Sequence, residues 1–127
     1  MDKVKVGEYI RTKSGIIAKI TKINTNNHYY FDKVVLDKFA ELSEKGMQLL
    51  LKKHSFVTAE LVEKGDYVNG DKIVKIEEDI YIGGLNLWTE RTASDGFGGF
   101  YQIKYREKDI NSILTKEQFN NHEYEVK

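Results

Sequence analysis

The chain has 127 residues, room for one compact domain or two very small subdomains, and its 40% hydrophobic and 31% charged content is that of a folded, soluble protein. No apolar run is longer than three residues, as at Leu49–Leu51, and there is no cysteine, which excludes a membrane-spanning helix, a disulfide framework, a thiolate nucleophile and a Cys-based zinc site. The 20 basic and 20 acidic residues cancel, so the general footprint of a DNA binder is missing, yet residues 1–33 carry a local balance of +4 and residues 65–127 one of −4.

The chain has no proline, so its turns must come from Gly, Asn, Asp and Ser. They fall at "KSG" 13–15, "NTNN" 24–27, "NGD" 69–71, "GG" 83–84 and "SDGFGG" 94–99. In chain order, Glu8–Thr12, Ile16–Ile23 and His28–Val35 are predicted strands, a meander of short Val/Ile/Tyr-rich runs. The period then changes. Leu36, Phe39, Ala40, Met47, Leu50 and Leu51 recur at helical spacing, which predicts one helix bent at Gly46 or two short ones within residues 36–54. Ile80–Ile82, Leu85–Thr89 and Gly99–Arg106 are further predicted strands. "TKEQF" 115–119 fits a capping box with Thr115 as N-cap, and "HEYEV" 122–126 a closing strand.

The beginning of the chain returns near its middle. Gly7-Glu8-Tyr9-Ile10 matches Gly65-Asp66-Tyr67-Val68, and "IAKI" 17–20 then falls on "IVKI" 73–76 after a loop two residues shorter. Gly permits a sharp lead-in or bulge, Tyr lays a ring against the sheet with its hydroxyl at the rim, and the β-branched run is the partner strand. This is the local grammar of SH3-like barrels. The expected fold is α+β and mostly β: a single compact domain of barrel or curved antiparallel sheet elements, with pseudo-repeat halves 1–35 and 61–113 and a helical insertion at 36–54. An acidic C-terminal half also suits a basic partner surface.

Catalytic patterns are missing. There is no GxxxxGK[ST], GxGxxG, GxSxG or HExxH, and His28, His54 and His122 are far apart, so neither an enzyme, a metal site nor a cofactor is expected. The segment 87–106 draws attention instead. Trp88, Phe97, Phe100 and Tyr101 stand beside Arg91 and Arg106, a composition that stacks planar bases, holds phosphates or builds a protein–protein hot spot. The same residues also suit a plain strand–loop–strand. A second candidate surface for nucleic acid is the N-terminal basic face: Arg11, Lys13, Lys19 and Lys22 with Tyr29 and Tyr30. Edge lysines that discourage strand pairing are the simpler account of it.

The phrases "VGEYIRTKSGIIAKI", "ELVEKGDYVNGDKI" and "ILTKEQF" resemble a family of small uncharacterised proteins of Firmicutes phages and prophages. The resemblance covers about half the chain. It implies a bacterial cytoplasmic setting, in keeping with a start that lacks an apolar signal-peptide core. It also implies an accessory protein that inhibits host anti-phage defence by binding or sequestering a host protein or a nucleotide-like signal. A nucleic-acid-binding barrel and a structural or assembly accessory protein of a phage are the alternatives. Homo-oligomerisation is left open, and the two departures from the repeat, the helical insertion and the aromatic Gly-rich loop, are the places to look for function.

Overall fold

The computed structural model describes residues 3–119 and 124–126. The chain divides into two compact units, Met1–Leu61 and Val62–Lys127.

In the first unit the strands are β1 (Tyr9–Thr12), β2 (Ile17–Ile23), β3 (Tyr29–Phe31) and β4 (Glu41–Leu42), followed by helix α1 (Glu44–Leu50) and strand β5 (Leu51–Ser55). They form one antiparallel sheet in the order β4-β3-β2-β1-β5. Ile10, Ala18, Ile20, Tyr29, Phe31, Leu42 and Met47 build its core. A 3₁₀ turn at Thr58–Leu61 follows β5.

The helix is much shorter than the apolar spacing predicts. Leu36 and Phe39 pair across a tight turn with Asp37 at φ 55°, and both side chains are exposed. The helix instead begins at Ser43, whose Oγ accepts the Gly46 N–H at 3.1 Å, a cap worth about 1 kcal/mol. Residues 51–55 are not helical, because they supply the strand that pairs with β1. Segment 36–54 is therefore no helical insertion: it contributes β4 and most of β5 to the first sheet, with the short α1 between them.

The second unit holds β6 (Tyr67–Val68), β7 (Asp71–Glu78), β8 (Leu85–Ser94), β9 (Phe100–Tyr105), β10 (Ser112–Leu114) and β11 (Tyr124–Glu125). Its antiparallel sheet runs β11-β10-β6-β7-β8-β9. Val68, Ile73, Leu87 and Ile113 are buried in it. A 3₁₀ turn, Glu107–Asp109, precedes β10, and another, Lys116–Gln118, follows it. Thr115 stands before the latter without a side-chain cap bond, so the expected capping box is not formed. Of the closing strand, His122 and Glu123 lie outside the described residues. Among those described, neither sheet closes into a barrel, and the mostly β, antiparallel part of the expectation is what is observed.

The repeat extends further than its wording. In each unit a first strand pairs with a second, third and fourth in a meander, and a fifth returns to the free side of the first. The lead-ins make the same backbone hydrogen bonds. Gly7 and Gly65 sit at φ 94° and 99°, a conformation open to glycine but strained for other residues. Their N–H groups donate to the carbonyls of Ile20 and Ile73, whose own N–H groups donate back to the carbonyls of Glu8 and Asp66. The carboxylates of Glu8 and Asp66 are buried and accept the N–H of the residue three earlier, Lys5 and Glu63, each at 2.6 Å.

This geometry corrects the register of the match. Tyr9 pairs with Lys19 and Tyr67 with Lys72, so Ile20 corresponds to Ile73 and not to Ile76. The cause is the turn. Asn69 and Gly70, at φ 53° and 84°, close the second hairpin in two residues, the primed geometry that Asn-Gly favours. The first hairpin runs on through Thr12 to a turn at Gly15.

Candidate functional site

The two units differ most in the ribbon that follows their second strands. In the first unit β3 and β4 have three and two residues. In the second, β8 and β9 have ten and six. The aromatic, arginine-containing segment singled out in the sequence makes up most of this long ribbon.

Its tryptophan and arginines are already engaged. Trp88 is half-buried; its indole Nε1–H donates to Glu77 Oε1 at 2.8 Å, and Lys104 Nζ lies 5.0 Å from its ring centroid. That indole bond, with the Lys75 ammonium, holds the Glu77 carboxyl below its ordinary range. Arg91 Nε donates to Asp71 Oδ1 at 2.9 Å, and its Nη2 to the Tyr105 hydroxyl at 3.2 Å. Tyr105 in turn donates to Asp71 Oδ2. Burial pushes the Asp71 carboxyl up, but the Tyr105 and Arg91 bonds outweigh it and hold the group down. Arg106 is spent on Asp79 Oδ2 at 3.3 Å, Asn86 Oδ1 at 2.9 Å and the Gly83 carbonyl. Each guanidinium is thus paired with a carboxylate of its own unit, Arg91 with Asp71 and Arg106 with Asp79.

The aromatic residues around the β8–β9 turn are different. Phe97 is 94% exposed, Phe100 75% and Tyr101 54%. The turn beneath them is ordered by Asp95, whose Oδ1 accepts the N–H of Phe97 and of Gly99, with Gly96 and Gly98 at positive φ.

At the other end of β8 lies a feature that sequence reading missed. Ile80–Ile82 is a turn between β7 and β8, not a strand. Ile80, Tyr81 and Ile82 are 83%, 90% and 74% exposed. The loop that displays them is tightly tied. Asp79 Oδ1 accepts the N–H of Tyr81 and of Ile82, its backbone bonds to Gly83 and Gly84, and its Oδ2 meets Asn86 and Arg106. The Tyr81 and Ile82 bonds hold the Asp79 carboxyl below its usual range. The sequence did carry a signal, since Asp79 and Gly83-Gly84 bracket the apolar triplet, but a β-branched run between turn residues has the wording of a strand.

The N-terminal basic face is not assembled as expected. Arg11 is fully buried, with Nη1 donating to the Leu61 carbonyl at 2.9 Å, and Tyr29 is buried in the core. Lys13, Lys19 and Lys22 are exposed. Lys19 and Lys22 lie over Tyr9 and Tyr30, each at 5.6 Å, so the chain's own lysines cover the rings a base would stack on. His54 bonds Glu8 at 2.9 Å and His28 meets Glu41 at 3.4 Å. Among the described residues no His, Asp and Glu cluster has the form of a metal site. Among the described residues no helix is long and apolar enough to cross a membrane. Comparison with protein-family models, with curated proteins and with solved structures finds no match to this chain.

Proposed function

We propose that the protein is a non-enzymatic binding protein that seats the Ile80–Tyr81–Ile82 tip in an apolar pocket of another protein. The observation that carries this is the pairing of extreme exposure with order: three consecutive apolar side chains stand in solvent on a loop whose backbone is fixed by Asp79, Gly83 and Gly84. Prior order lowers the entropy lost on association, and a large ring at the centre of a contact supplies most of its energy. Glu78, exposed beside the tip, adds a negative charge that suits a pocket with a basic rim.

A protein partner suits the ribbon better than a nucleotide-like signal or nucleic acid, since Arg91 and Arg106 are neutralised by Asp71 and Asp79. The phage-like wording makes a bacterial host protein, a component of anti-phage defence, the partner class of this reading. Each unit is further read as an opened SH3-like meander, supported by the shared strand order. The test is a photo-reactive phenylalanine analogue at Tyr81, irradiated in bacterial cells. One dominant protein adduct is expected, lost when Ile80 and Ile82 are changed to Ser. Its absence, or its survival in that variant, refutes the reading.

A further inference from the structure

The outer edge of β9 belongs to neither tip. β9 ends the second sheet, and among the described residues no strand pairs with its far side. Such edges invite other strands, and folded proteins usually blunt them. The first unit does so: its corresponding strand, β4, has only two residues. β9 has six, with no proline and a single charge, Lys104.

The bonding direction along β9 is fixed at both ends of the strand. The Gly99 carbonyl accepts the Asp95 N–H, and the Ile103 carbonyl accepts the Thr89 hydroxyl, so odd-numbered residues face β8. Backbone groups alternate along a strand, which turns the N–H and C=O of Phe100, Gln102 and Lys104 outward. Their side chains share the face of Trp88, which lies opposite Lys104 in the ladder.

We infer that β9 pairs antiparallel with β9 of a second copy of this chain, about a two-fold axis at Gln102. A two-fold axis normal to the sheet places residues of like parity opposite one another. In the Gln102-centred register, Gln102 meets Gln102 of the second copy, Phe100 meets Lys104, and Tyr101 meets Ile103. Every outward N–H and C=O of the strand then has a partner. The one charge of the strand meets a ring and not itself, so Lys104 lies between Trp88 of its own chain and Phe100 of the other. A register centred on Lys104 would oppose like charges and loses. Aromatic against β-branched across the ladder, as with Tyr101 and Ile103, is a favourable cross-strand pair.

Sedimentation velocity over a concentration series tests this. A monomer–dimer equilibrium is expected. Phe100→Lys sets lysine opposite Lys104 twice per dimer and should raise the dimer dissociation constant ~10-fold or more. Adding Lys104→Glu to that variant should restore dimerisation, which separates a charge effect from a folding defect. In this cysteine-free chain Gln102→Cys should form a disulfide-linked dimer on mild oxidation, since hydrogen-bonded antiparallel pairs bring Cα atoms to about 5.5 Å. Tyr101→Cys, two residues out of register with itself, should not. A monomer at every concentration, a Phe100→Lys dimer of unchanged strength, or Tyr101→Cys linking as readily as Gln102→Cys overturns the inference.

Discussion

Asp66→Ala tests whether the acidic residue of the repeated signature is scaffold. Asp66 is fully buried; its Oδ2 accepts the Glu63 N–H at 2.6 Å and its Oδ1 the Lys116 N–H at 2.9 Å, across 50 residues. Alanine leaves two backbone donors without that acceptor, and a buried unpaired donor costs about 1–3 kcal/mol. Two effects hold the sum to the lower part of the range. Lys116 is exposed, so water can reach its amide, and removal of the carboxylate also removes the cost of having desolvated it. The expected loss is about 2–3 kcal/mol, or a urea midpoint lower by ~2 M at the slope usual for small proteins. Asp66→Asn keeps one acceptor oxygen and should lose about half as much. Trp88 is the only tryptophan and lies in the same unit, so its emission reports the transition directly. A change below ~0.5 kcal/mol, the scale of a bland surface substitution, would refute the assignment.

Two further outcomes follow from the turns. Gly70→Ala should destabilise by about 1–2 kcal/mol, the cost of a left-handed conformation for an L-residue, because a Cβ there meets nothing within 4 Å and only the φ of 84° opposes it. Gly70→Asn should cost less, since Asn tolerates that region; equal calorimetric losses for the two would refute a purely backbone origin. The Asp79 carboxyl is held below the ordinary value of 3.8 by the Tyr81 and Ile82 amides, and by Asn86 and Arg106. A group lowered on folding contributes stability that is present above its unfolded value and lost as pH falls through its folded one. The Tyr81 and Ile82 amide resonances should therefore hold steady down to the ordinary Asp range and shift only below it. An inflection at or above 3.8 would show that the loop is not fixed by that carboxylate.

What the sequence disclosed was local. Gly7, Gly15, Gly65, Asn69-Gly70 and Gly96 are legible because a positive φ leaves so few residue choices. The lost features depend on residues distant in the chain. The spacing of Leu36, Phe39 and Met47 satisfies a helix equally well whether or not residues 51–55 are claimed by β1, and only the sheet decides that. Arg91 and Arg106 have the composition of a phosphate site until Asp71 and Asp79, 20 and 27 residues earlier, are brought against them. Arg11 has the wording of a basic surface, yet the carbonyl that receives it is 50 residues away.

The shared strand order is itself a guide to where function lies. Both units spend their buried acidic residue, their lead-in glycine and their tyrosine on the same meander, so none of these distinguishes one unit from the other. The second unit instead carries β8 and β9 out to ten and six residues, and places exposed apolar groups at both ends of β8. Long strands with apolar tips raise the risk of unwanted association without adding to a core, since Ile80, Tyr81, Ile82 and Phe97 bury almost nothing. Both proposals draw on such features: the Ile80–Ile82 turn between β7 and β8 is the part proposed to meet another protein, and the β9 edge the part proposed to meet a second copy of the chain.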